Sequence, residues 1–75
     1  MRKERIFKIK EYGRQELASL YCPRLQPASA WKKMKQWIDD YPGLWDELRR
    51  QGYDERRRSF SPPQVKAIVD RMGEP

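Results

Sequence analysis

Apolar residues recur at helical spacing in four stretches of this chain, each bounded by proline or glycine. In the first, Leu17, Leu20 and Tyr21 stand at i, i+3 and i+4, and Glu16 lies three residues after Gly13, where its carboxylate can return to the helix start. Pro23 ends this helix, because the residue before a proline is pushed out of the helical region. A second helix is expected from about Pro27 to Tyr41. Its apolar stripe is Trp31, Met34, Ile38 and Tyr41, broadened by Ala30 and Trp37, while Ser29, Lys32, Lys33, Gln36 and Asp40 fall mostly on the other side. Pro42-Gly43 opens a short third helix with Leu44, Trp45 and Leu48 inward; Gly52 stops it, and Tyr53 folds back onto Leu48. The fourth has the clearest punctuation: Ser61 as cap, Pro62 at the first position, Gln64 closing a capping box, Phe60 opposite Val65 as a staple. Val65, Ile68, Val69 and Met72 form its core face, and Gly73 ends it.

Ahead of these helices, Ile6 to Lys10 alternates apolar and basic residues, the pattern of a short edge strand or an extended arm. The expected organisation is a basic N-terminal arm or edge strand over residues 1–12 and a single helical domain over 13–75. One core is predicted to hold Leu17, Leu20, Trp31, Met34, Ile38, Leu48, Val65, Ile68 and Val69, since 75 residues leave room for only one.

Composition narrows the function. No histidine and a single cysteine leave little for acid-base or nucleophilic catalysis, and Cys22, next to a proline in a turn, reads as a small semi-buried side chain. There is no Gly-rich phosphate loop and no Cys/His metal spacing, and Asp39-Asp40 alone offers a cation too few oxygens, so neither catalysis nor a cofactor or metal is expected. One cysteine forms no internal disulfide, and no apolar stretch suits a signal peptide or a membrane span; a cytoplasmic protein is expected.

Seventeen Lys and Arg against eleven Asp and Glu give a net charge of +6, which favours polyanionic partners. The charge is clustered in residues 2–10, at Lys32, Lys33 and Lys35, and at Arg56, Arg57 and Arg58. The order helix, proline-bearing turn, lysine-rich helix reads like a helix-turn-helix, in which the second helix presents its exposed face to the major groove of duplex DNA. Ser29, Lys32, Lys33 and Gln36 are then the side chains offered to bases and phosphates. Arg56, Arg57 and Arg58, between the last two helices, stand where a winged helix-turn-helix carries its wing and can hold the backbone. The fold class expected is mainly α: a compact four-helix winged helix-turn-helix-like domain. The rival reading is a protein-interaction adaptor with an exposed aromatic or apolar surface, its charge serving only steering and solubility. The tryptophans fall at core spacing, so packing comes before stacking on unpaired bases.

Glu16-Leu17-Ala18, Leu20-Tyr21, Pro23, Trp37-Ile38, Pro42-Gly43-Leu44, Gly52-Tyr53, Phe60-Ser61-Pro62, Gln64-Val65, Ile68-Val69 and Gly73-Glu74-Pro75 together resemble a group of short gut-bacterial proteins grouped as a domain of unknown function. The resemblance runs from Tyr12 onward and implies a compact domain ending at Gly73-Glu74-Pro75, with no catalytic or binding residue attached. The pattern is also similar to excisionase and MerR-type domains, which implies DNA binding by a small regulator or a recombination accessory factor. Gly13 stands where those domains commonly have Ser or Thr at the first helix cap.

Overall fold

The computed structural model describes residues 7–75. Four helices, α1 (Arg14–Tyr21), α2 (Pro27–Asp40), α3 (Leu44–Arg50) and α4 (Pro62–Met72), are tied by a two-stranded antiparallel ribbon of β1 (Tyr12–Gly13) and β2 (Ser59–Phe60). Among the described residues, no helix is long and apolar enough to cross a membrane.

The helices begin and end where local chemistry dictates. At α1 the Glu16 carboxylate accepts the Gly13 N–H at 3.0 Å, satisfying a donor that the helix itself leaves free. Pro27 supplies the first position of α2, where no N–H is needed. After α3, Gly52 takes a φ of 94°, open to glycine without strain. Its N–H then reaches the Arg49 carbonyl at 2.9 Å while that of Tyr53 reaches Leu48 at 2.9 Å, a Schellman ending that turns the Tyr53 ring inward.

Six residues expected in the core are fully buried: Leu17, Met34, Ile38, Leu48, Val65 and Ile68. Trp31 and Val69 pack against that core from a half-buried position. Leu20 does not belong to it, being 43% exposed. The reason lies in how α1 meets its neighbour: the buried pair is Leu17 and Ala18, whose small side chain suits close packing, and Leu20 is turned to the opposite edge of the stripe. Tyr41 is exposed as well, because the chain leaves α2 at that residue.

The strand is displaced from its expected place. Ile6 lies outside the described residues, and Phe7 to Lys10 has no strand structure; pairing begins at Tyr12, opposite Phe60, with Gly13 opposite Ser59. Burial decides the register: Tyr12 and Phe60 are buried, whereas Lys8, Ile9 and Lys10 are exposed. Phe7 stacks on Tyr12 with ring centroids 5.3 Å apart, and the Tyr12 hydroxyl donates to the Lys8 carbonyl at 2.9 Å.

Among the described residues, Gln64 is the one buried polar side chain in the core, and both its ends are occupied. Its Oε1 accepts the Ser61 N–H at 2.9 Å and its Nε2 donates to the Gln51 carbonyl at 2.9 Å, joining the start of α4 to the end of α3. Ser61→Ala should cost about 1 kcal/mol through loss of the cap. Gln64→Ala should cost more, roughly 1–3 kcal/mol, because two backbone groups lose their partner together. Urea unfolding of both variants checks the order; a Gln64→Ala protein no weaker than Ser61→Ala contradicts it.

At the other end of the molecule the Tyr21 hydroxyl donates to the Gly73 carbonyl, fastening the last turn of α1 to the end of α4. Burial, with Glu74 and Tyr41 adding negative charge, pushes the Tyr21 pKa up to about 12. The folded chain thus prefers the neutral phenol more than the unfolded chain does, whose tyrosine ionises near pH ~10. This contribution is whole below about pH 10 and disappears as pH rises toward about 12. Tyr21→Phe should be the weaker protein near neutrality and close on the wild type through that window; a constant gap in unfolding midpoint contradicts the assignment.

Candidate nucleic-acid interface

The lysine face of α2 is built by its buried face. Ala30, Met34 and Ile38 point into the core, which at about 100° per residue sends Ser29, Lys32 and Gln36 outward. The same rotation sets Lys35 on the flank of Trp31 and Lys33 on the flank of Trp37. Ser29, Lys32, Lys33, Lys35 and Gln36 are all exposed. Five residues, 22–26, separate α1 from α2.

The charge pattern of α2 differs from that of its neighbours. In α3, Asp46 and Glu47 occupy the first turn and Arg49 and Arg50 the last, the order that a helix dipole favours, and Arg49 pairs with Asp46 at 3.0 Å. In α4, Lys66 pairs with Asp70 at 3.1 Å across one turn. Helix α2 has no acid in its first turn and no base in its last. Lys32 and Lys35 are like charges at i, i+3, which oppose one another. Asp39, the carboxylate at i+4 from Lys35, accepts the indole N–H of Trp45 and forms no ion pair with Lys35. Among the described residues, Lys32, Lys33 and Lys35 enter no ion pair.

Arg56, Arg57 and Arg58 lie in an exposed loop that leads from α3 into β2. A turn closes it: the Asp54 carboxylate accepts the Arg56 N–H at 2.8 Å and the Asp54 carbonyl accepts that of Arg57 at 2.9 Å. The loop forms no hairpin of its own among the described residues, since β2 pairs with β1. Arg56 also meets Asp54 through its guanidinium at 3.4 Å, and these contacts, the backbone one foremost, hold the Asp54 carboxyl below its usual range. Arg56 is therefore partly neutralised; Arg57 and Arg58 enter no ion pair among the described residues.

The ribbon draws separate basic segments together. Arg58 offers its carbonyl to the Arg14 N–H at 2.9 Å, and the Arg14 guanidinium lies over the Trp31 ring at 5.2 Å, on the flank of α2 that carries Lys35. Lys10 sits over the Tyr12 ring at 5.0 Å. Arg14, Arg58 and Lys10 thus gather around β1–β2 and α2 joins them through Trp31. Lys33 stands apart, on the other flank. Arg14 and Lys35 are additions to the expected set; Lys35 was visible in the lysine cluster, whereas the place of Arg14 depends on the ribbon and had no local signal.

A family model described as a domain of unknown function (DUF4248) matches residues 8–75, which takes in the stretch from Tyr12 onward that carries the resemblance. No curated protein and no solved structure matches the chain.

Proposed function

This chain belongs to the DUF4248 family, a domain of unknown function, and from that footing we propose that it binds duplex DNA through the outer face of α2. The observation that carries the reading is the unpaired lysine face: Lys32 and Lys35 repel one another, and among the described residues neither enters an ion pair, the Asp39 carboxylate one turn on being turned to Trp45. Such a face costs the free protein a few tenths of a kcal/mol and returns that when an array of phosphates lies against it. Lys32, Gln36 and Ser29 meet the groove, Lys35 its wall, and Arg14, Arg57 and Arg58 the backbone alongside, while Lys33, on the opposite flank, contributes less. Arg56 contributes less, being paired with Asp54.

In this reading the protein is a small cytoplasmic DNA-binding regulator or recombination accessory factor, and the 54–58 loop takes the place of a wing without its hairpin. The adaptor reading has a specific observation in its favour, the exposure of Leu20, Leu25 and Tyr41, although these residues lie off the lysine face. Competition separates the two. Unlabelled duplex should displace a labelled duplex from the wild-type protein at lower concentration than a single strand of equal length, and a protein with no affinity for either overturns the proposal.

A further inference from the structure

Three aromatic rings and a carboxylate converge where α2 ends. Tyr21 and Trp37 meet edge to face, their centroids 6.4 Å apart and their planes at 76°, and with Asp40, Tyr41 and Met72 they line an open hollow of about 330 Å³. Tyr41 reaches it because the chain turns extended there, ahead of Pro42, and the residue remains 37% exposed.

Folding does not account for the carboxylate. Asp40 sits in the last turn of α2, where the helix dipole disfavours an anion, and among the described residues it enters no ion pair. Glu74 adds a second negative charge, close enough to help hold the Tyr21 hydroxyl neutral. Arg71, on the neighbouring turn of α4, is committed to the Pro42 carbonyl at 3.1 Å and to Glu47 at 3.3 Å. Asp40 and Glu74 thus bring two carboxylates to this corner, with Lys33 further along the same flank of α2 and Arg71 turned to Glu47. Ring faces carry negative potential, and rings set at right angles beside a carboxylate favour a cation with an apolar surface. A bare ammonium is the more strongly hydrated ion and gains less by exchanging water for rings; alkyl groups lower that cost.

We propose that the hollow of Tyr21, Trp37, Asp40, Tyr41 and Met72 binds an alkylated ammonium group, carried either by a methylated lysine side chain or by a choline-like small molecule. The rings enclose the methyl groups and Asp40 supplies the counter-charge. The site is independent of the DNA reading, since it lies on the Trp37 flank of α2, away from Lys35 and Arg14.

The test is an NMR titration of the wild-type chain with choline, followed at the Trp37 indole N–H, a resonance identified by its loss in Trp37→Phe. A saturable shift is expected. The neutral isostere 3,3-dimethylbutanol, with the same shape and no charge, should bind roughly tenfold more weakly, the difference a cation-π site makes. Asp40→Asn, an exposed change that leaves the indole reporter and the fold in place, should weaken choline severalfold. A trimethyl-lysine peptide that binds more tightly than choline assigns the source to a protein tail; a peptide no tighter than choline assigns it to a small molecule, and either supports the site. No saturable shift with choline or the peptide, equal binding of the neutral isostere, or undiminished binding by Asp40→Asn overturns it.

Discussion

Leu48→Ala should lower stability by about 2–5 kcal/mol, the usual cost of emptying a fully buried leucine site. Leu48 is completely buried in α3, and its carbonyl is the one that the Tyr53 N–H takes as the chain turns back. The surroundings cannot close the gap easily. Tyr53 stacks on Phe60 at 5.1 Å, Phe60 meets Trp31 at 5.8 Å, and Phe60 is paired across the ribbon to Tyr12. A shift of Tyr53 toward the cavity therefore disturbs α2 and the ribbon together. A chain of 75 residues has one small core, so a loss of this size is a large part of its total stability. Each kcal/mol lowers the melting temperature of such a domain by roughly 4–8 °C. Thermal unfolding followed by circular dichroism measures it, and an unchanged curve places α3 outside the cooperative unit.

Lys32→Glu combined with Lys35→Glu should weaken duplex binding by an order of magnitude or more at low salt, because two charges facing phosphate are reversed. The fold should survive, with stability within about 0.5 kcal/mol of the wild type, since both positions are exposed and enter no ion pair among the described residues. Lys33→Glu should do less than Lys35→Glu, because Lys33 lies on the Trp37 flank of α2, away from Arg14 and Arg58. Anisotropy titrations of the double variant and of the two single variants test the geometry as well as the charge. Equal losses at Lys33 and Lys35 point to diffuse attraction with no particular face, and no loss in the double variant removes α2 from the interface.

The helices were legible in the sequence because their boundaries are local chemistry. Pro27, Pro42-Gly43, Gly52-Tyr53, Ser61-Pro62 and Gly73 each act on the few residues around them, and each does so in the structure. The ribbon was not legible in the same way. Tyr12 and Phe60 are 48 residues apart, their pairing is two residues long, and the better alternation at Ile6 to Lys10 misplaces it. Periodicity also fails to separate the middle of an apolar stripe from its edges. Leu20, Trp37 and Tyr41 all carry helical spacing, yet only the packing of α1 on α2 decides that the first is exposed and that the others border a hollow. The lysine cluster of α2 could be read directly. What could not be read was the bond from Trp45 to Asp39, six residues earlier, in place of an ion pair between Asp39 and Lys35.

The central claim is that α2 and the basic groups beside it neutralise DNA phosphates, and the salt dependence of wild-type binding tests it most directly. Fluorescence anisotropy with a labelled random duplex, repeated over a series of salt concentrations, yields the slope of log affinity against log salt. Four to six neutralised phosphates predict a slope of roughly −3.5 to −5.5. A slope near zero, or no detectable binding at the lowest salt, contradicts the account and leaves the apolar surfaces as the place where this domain meets its partner.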